Sequence, residues 1–323
     1  MAGDSTEILH DFYPLIRVYK DGRIERFEGL DFVPASVDPE TGVQAKDVEI
    51  SPEFNVSARL YLPDISKFRG RDFQKLPLLV YFHGGAFVVG STFSSTYQKH
   101  LISLAHQARV IIVSVNYRLA PEHPLPAAYE DSRLALKWVA SHSTSRSGER
   151  WLLDHADFGH VYFGGDSAGG NIAHKMALKI GVEGLDGFKL DGIFLACPYF
   201  WGKDPIGNEA ERKLEKKFLD KLWPFVCPNS TGGLDDPWIN PAKSHHLSRL
   251  ACKKVLVFVG GEDVLKDRGW YYKESLERSG WNGDVEVVEV EGEGHVFHLT
   301  SPNSQKARLM VRKLVSFLQW KMN

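Results

Sequence analysis

The chain alternates between two hydrophobic patterns. Short, nearly continuous apolar runs occur at residues 76–82, 110–115, 160–163, 192–196 and 254–259, as expected of strands covered on both faces. Between them lie stripes at helical spacing. Tyr97, Leu101, Leu104, Ala105 and Ala108 form one, and Gly169, Ile172, Ala173, Met176, Ala177 and Ile180 a second. A third, Ala307, Met310, Val311, Leu314, Val315 and Leu318, lies near the C-terminus. This alternation predicts an α/β fold with a mostly parallel sheet, helices on both faces, and a site at the strand C-termini.

Two regions depart from that rhythm. Residues 1–16 have no clean period, yet Phe12, Tyr13, Leu15 and Ile16 are too apolar for a solvated tail and are expected to lie across another part of the chain. Residues 18–27 bracket Asp21-Gly22, a hairpin signal. Residues 43–50 and 56–62 read as strands that are polar at alternate positions and so lie near a sheet edge. Residues 199–250 hold Pro205, Pro224, Pro228, Pro237 and Pro241, one helix marked by Leu214, Phe218, Leu219 and Leu222, and no buried-strand run. An excursion of this size between core strands predicts a cap over the site rather than an independent domain. The expectation is one domain over residues 1–323, with cap elements from about 1–40 and 199–250.

Composition narrows the partners. A net charge of -2 and the lack of a dense basic run argue against nucleic acid. No apolar run approaches the roughly 18 residues of a membrane span, and the first 30 residues show no secretory core. Cys197, Cys227 and Cys252 are unclustered and lack C-x-x-C spacing, which predicts free thiols in a reducing compartment and a cytoplasmic location. The sequons at Asn55 and Asn229 are then ordinary loop residues. A small molecule is the expected partner, with the chain a monomer or homodimer.

The chemistry centres on residues 161–170, which read as strand, tight turn and helix start. Gly165-Asp166-Ser167-Ala168-Gly169 fits G-x-S-x-G, where glycines flanking a serine permit a strained turn that lifts its hydroxyl clear. His83-Gly84-Gly85-Ala86-Phe87 follows another buried run, and amides freed by consecutive glycines suit a developing oxyanion. A nucleophilic serine needs a base from a different loop. Among thirteen histidines, His295 stands between the strand-like 285–290 and the last helix, with His298 a competitor. Asp263 follows the run 254–259 and would orient the imidazole, with Glu262 and Asp267 as alternatives. The order Ser167, Asp263, His295 is that of the α/β-hydrolases. His295 and His298 have no third ligand at metal spacing, and neither metal nor cofactor is expected.

The sequence resembles the plant carboxylesterase family, in the hormone-sensitive-lipase branch of the α/β-hydrolases, which also includes gibberellin receptors and 2-hydroxyisoflavanone dehydratases. The resemblance rests on Tyr81-Phe82-His83-Gly84-Gly85, Asn116-Tyr117-Arg118-Leu119-Ala120-Pro121-Glu122-His123 and Leu125-Pro126-Ala127-Ala128-Tyr129-Glu130-Asp131. It rests also on Gly165-Asp166-Ser167-Ala168-Gly169-Gly170-Asn171, Asn240-Pro241 and Gly294-His295-Val296-Phe297-His298. It implies Ser167 as nucleophile, His295 as base, Asp263 as orienting acid, and amides of Gly84, Gly85 and Ala168 as the oxyanion hole. It also implies a structural role for the block 118–131. The family's third oxyanion glycine is Ala86 here, which keeps the amide and narrows the acyl space. A serine esterase acting on short acyl esters follows, with a lyase as alternative; receptors that resemble the chain lack the histidine that His295 supplies. Phe87, Val88, Phe93, Tyr199, Trp223, Ile239 and Val296 are the expected pocket residues.

Overall fold

The computed structural model describes residues 7–29, 31–68 and 75–319; residues 1–6 and 30 of the expected cap segment lie outside them. In chain order the elements are β1 (Ile8–Phe12), β2 (Ile16–Tyr19), β3 (Ile24–Arg26), β4 (Gln44–Ser51), β5 (Val56–Leu62), β6 (Leu76–Phe82), α1 (Ser95–Ala108) and β7 (Ile111–Asn116). They continue with α2 (Ala127–Ser141), α3 (Arg150–His155), β8 (Ala156–Asp166), α4 (Ala168–Glu183), β9 (Leu190–Ala196) and α5 (Lys213–Val226). The last are β10 (Lys254–Gly260), α6 (Lys266–Arg278), β11 (Asp284–Val290), α7 (Phe297–Thr300) and α8 (Gln305–Leu318).

Eight strands form one sheet in the order β11-β10-β9-β8-β6-β7-β5-β4. The six from β6 to β11 run parallel, and β5 and β4 are antiparallel to their neighbours. The fully buried apolar runs are these central strands, because crossover helices cover both faces. Leu101, Leu104 and Ala105 of α1 pack with Met310 and Leu314 of α8 on one face. Ile172, Ala173 and Met176 of α4 pack with Leu136 and Val139 of α2 on the other. Helix starts are fixed locally: the Ser94 hydroxyl accepts the Tyr97 amide at 3.4 Å, and that of Ser304 the Ala307 amide at 3.1 Å.

β4 is the edge strand and β5 lies beside it, where the sequence places them, but the burial of β5 exceeds what its polar positions suggest. β5 is polar at alternate positions and second from the edge, yet it is buried almost throughout. The Arg59 guanidinium is fully buried and makes a two-pronged contact with Asp47 on β4, plus a hydrogen bond to Gln98 on α1. Its charge is paired, so a polar position does not mark solvent.

A separate three-stranded sheet, β1-β2-β3, turns through Gly22 at φ 87 where Asp21-Gly22 predicts a hairpin. α5 supplies the expected helix within 199–250. Arg118 grips Asp131 through Nε and Nη2, tying the chain after β7 to α2. Among the described residues no helix is long and apolar enough to cross a membrane.

Candidate active site

Five neighbouring parallel strands end at one sheet edge in a row of polar groups. Gly84 follows β6, Ser167 follows β8, Cys197 follows β9, Asp263 follows β10 and His295 follows β11. The turn between β8 and α4 holds Ser167 at φ 50 and ψ -116, a sparsely populated conformation for a residue with a side chain. Glycines make it possible. A Cβ at Gly165 would lie 2.4 Å from the Phe82 carbonyl oxygen, and one at Gly169 would lie 1.9 Å from the same atom.

The side chains then meet in sequence. His295 Nε2 lies 3.0 Å from Ser167 Oγ, and His295 Nδ1 lies 2.7 Å from Asp263 Oδ2. Asp263 Oδ1 accepts the Leu265 amide at 3.0 Å, which fixes the carboxylate. Burial opposes the Asp263 charge, but His295 and these hydrogen bonds hold its pKa below the ordinary value. For His295, loss of hydration favours the neutral ring, and the Asp263 carboxylate reverses this and sets the pKa well above the usual range. The imidazole is 39% exposed toward the cleft, so solvent screens part of that effect.

The competing residues stand elsewhere. His298 is buried against the His100 ring, 5.1 Å between centroids. Glu262 is exposed, and Asp267 accepts the Asn208 amide at 3.0 Å. The arrangement can move a proton from serine to imidazole and stabilise the resulting imidazolium through Asp263.

The glycine loop requires one correction. The Gly84 amide does not face the serine; it donates to the Tyr97 hydroxyl at 2.7 Å. Tyr97 in turn donates to Asp166 Oδ2 at 2.9 Å, and Tyr81 to Oδ1 at 2.6 Å. Burial raises the Asp166 pKa to about 6, against the lowering effect of the two tyrosines. The next amides, of Gly85 and Ala86, have no acceptor among the described residues. Ala168 opens α4, where the first amides lack an intrahelical partner. Gly85, Ala86 and Ala168 are thus the amides left for an oxyanion.

A cleft of about 970 Å³ opens above Ser167 and His295. Leu214, Phe218, Leu219 and Leu222 of α5 line it together with Tyr13, Leu15, Val264 and Leu299. Glu28, Asp31 and Glu215 also border it, with no lysine or arginine among the described lining. Of the expected pocket residues, Tyr199 and Val296 reach this cleft. Phe87 packs on Tyr129 and Tyr199, and Val88, Trp223 and Ile239 are core side chains. Phe93 lies against Phe32 at a tilt and under the Arg59 guanidinium. Core packing claims Phe87, Val88, Trp223 and Ile239, and Phe93 is half-buried away from the cleft.

Cys197, Tyr97 and Asp166 complete the surroundings and were not among the expected site residues, whereas Ala86 takes the oxyanion-motif place expected of it. Cys197 carries a sequence signal, since it directly follows the run 192–196. Tyr97 carries none, because its place on a helical stripe reads as core.

Comparison with known proteins agrees with this geometry. A family described as having the alpha/beta hydrolase fold matches residues 79–299. A 2-hydroxyisoflavanone dehydratase from Glycyrrhiza echinata is 48% identical over 97% of each chain. A probable carboxylesterase 7 from Arabidopsis thaliana is 47% identical over 96% of this chain and 98% of its own. A hyperthermophilic esterase from Pyrobaculum calidifontis superposes with a TM-score of 0.70 at 28% identity, over 85% of each chain. A serine, a carboxylate and a histidine brought together from the ends of β8, β10 and β11, in a chain so close to these proteins, make this a hydrolase of the α/β-hydrolase family, within its plant carboxylesterase branch.

Proposed function

We propose that this chain is a serine carboxylesterase that cleaves short-chain, for example acetyl, esters of a moderately hydrophobic small molecule. The observation that carries the reading is the 3.0 Å contact of Ser167 Oγ with His295 Nε2, backed by Asp263 at 2.7 Å. Ser167 attacks the ester carbonyl as His295 takes its proton, and the carbonyl oxygen becomes an oxyanion facing the amides of Gly85, Ala86 and Ala168. Each such donor is worth roughly 10² to 10³ in rate. His295 then protonates the leaving alcohol, and water repeats the steps to free the acid. The apolar lining from α5 supports a hydrophobic alcohol or acyl group, and the carboxylates at the border disfavour anionic esters. In this reading α5 and the β1-β2-β3 sheet act as a cap on one domain, and the enzyme works in the cytosol as a monomer or homodimer.

The test is Ser167→Ala assayed on p-nitrophenyl butyrate, together with fluorophosphonate labelling of the wild type. Loss of turnover with an unchanged fold, and mass labelling at Ser167, are expected; hydrolysis retained by the variant refutes the assignment. A dehydratase reading has one kind of observation in its favour, the names of two relatives at 48% and 46% identity. Labelling at Ser167 with water elimination from a hydroxylated substrate, and no ester turnover, would select it.

A further inference from the structure

Within the row of strand ends, Cys197 is the one side chain that the proposed ester reaction assigns no step, although its thiol hydrogen-bonds with Asp263 and His295. β9 lies between β8 and β10, so the residue that follows it emerges between the supports of Ser167 and Asp263. Its backbone turns there at φ 46, and its amide donates to the Phe258 carbonyl at 2.7 Å. The thiol is fully buried and free of any disulfide. Cys197 Sγ, a carboxylate oxygen of Asp263 and a ring nitrogen of His295 all lie within 4.8 Å of one another. Among the described residues no other group of three such donors comes together, and Cys227 and Cys252 belong to none.

We propose that Cys197, Asp263 and His295 form a chelating site for a thiophilic divalent cation, Zn²⁺ or Cd²⁺, whose binding switches the esterase off. Thiolate, imidazole and carboxylate are the donors that such ions take in tetrahedral sites, with bonds of about 2.0 to 2.3 Å. Bonds of that length set the donors about 3.3 to 3.6 Å apart. His295 Nδ1 and Asp263 Oδ2, now at 2.7 Å, must part slightly while the sulfur closes in. His295 can make that adjustment, because it stands on the loop after β11 with its ring partly open to the cleft. The Leu265 amide on Oδ1 keeps Oδ2 aimed at the site.

Proton bookkeeping supplies the inhibition. The working imidazole carries its proton on Nδ1, toward Asp263, and presents the Nε2 lone pair to Ser167. A cation takes the Nδ1 lone pair, so that proton moves through solvent to Nε2 and the ring stays neutral. The thiol proton of Cys197 leaves to solvent as its sulfur binds. Nε2 then bears hydrogen and cannot accept the Ser167 proton, although the cation never touches the serine.

Chelation stands apart from the proposed function, whereas inhibition rests on it, so the experiment reads each separately. Metal-free protein is titrated with Cd²⁺ while the thiolate-to-cadmium absorption in the ultraviolet is followed. Wild type and Ser167→Ala should each show a band saturating at one equivalent, and Cys197→Ala should lack it. In parallel, Zn²⁺ should inhibit p-nitrophenyl butyrate hydrolysis reversibly, with EDTA restoring the rate, and Cys197→Ala should need at least ten times more Zn²⁺. A missing band in the wild type, an unchanged band in Cys197→Ala, or equal Zn²⁺ sensitivity of the two overturns the site. If no replacement of Cys197 folds, His295→Ala decides: tenfold weaker Cd²⁺ binding supports the site, and unchanged one-equivalent binding overturns it.

Discussion

The Tyr97 hydroxyl accepts the Gly84 amide at 2.7 Å, joining helix α1 to the glycine loop through one atom that also donates to Asp166. Tyr97→Phe keeps the ring and removes that atom. The buried Gly84 amide is then unpaired, at a cost of about 1 to 3 kcal/mol. The two amides that follow it lose their anchor, and misplacement on the order of 1 Å costs about 10²-fold in rate. We expect a lower denaturation midpoint and a fall in kcat of ten- to a hundredfold, with KM little changed. An unchanged kcat would mean that the loop is held by its own backbone.

Asp166 makes stability depend on pH. Its folded pKa of about 6 lies above the ordinary carboxylate value because burial outweighs the Tyr81 and Tyr97 hydrogen bonds. The folded state therefore holds the proton more tightly than the unfolded chain. That contribution is complete below about pH 4 and is lost as the pH rises through 6. Two units correspond to on the order of 3 kcal/mol. Asp166→Asn cannot titrate, so its stability relative to wild type should climb by about that amount between pH 4 and pH 7 in urea denaturation series. A constant difference across the range would assign Asp166 an ordinary pKa.

Much of the frame was legible because burial leaves a mark on sequence: strands covered on both faces are continuously apolar, and Ser167 and Asp263 each follow such a strand, while His295 follows the alternating edge strand β11. The relations across the sheet left no mark. Arg59 reads as an edge residue until Asp47 and Gln98 are seen to surround it. Which glycine-loop amide is free depends on Tyr97, whose spacing signals only a core position. Phe87 and Trp223 are aromatic, near the site in sequence, and turned into the core. The stripes do not reveal α6, since Arg268 and Gly269 on its buried side interrupt the apolar pattern.

Ala86 adopts φ 54, a left-handed conformation in which a Cβ costs roughly 1 to 2 kcal/mol. Glycine relieves that strain and gives back part of the gain through its greater freedom in the unfolded chain, about 0.5 to 1 kcal/mol. Ala86→Gly should therefore be as stable as wild type or more stable by up to about 1 kcal/mol. The same change removes a methyl group from the cleft wall. Rates on a series of p-nitrophenyl esters should shift toward longer acyl chains, with the octanoate-to-acetate ratio rising severalfold. A ratio that does not move would place the acyl group away from Ala86.

The segment that carries α5 is fastened to the frame by a buried ion pair. Arg268 Nε and Nη2 reach the Glu209 carboxylate at 2.6 and 2.7 Å, Nη2 also donates to the Asp204 carbonyl at 2.7 Å, and both side chains are buried. Arg268→Met strands the Glu209 charge, and breaking such a pair from one side costs about 3 to 5 kcal/mol. Replacing both partners is far milder when their remaining polar contacts survive. Glu209 also accepts the Ile206 amide at 3.0 Å, a bond that glutamine can keep. The double variant Glu209→Gln, Arg268→Met should accordingly recover about 2 kcal/mol relative to Arg268→Met alone. Because residues 204–209 lead into α5, whose leucines line the cleft, Arg268→Met should also raise KM more than it lowers kcat. Urea denaturation of the four species closes the cycle, and a coupling below about 0.5 kcal/mol would show that the two charges are solvated independently.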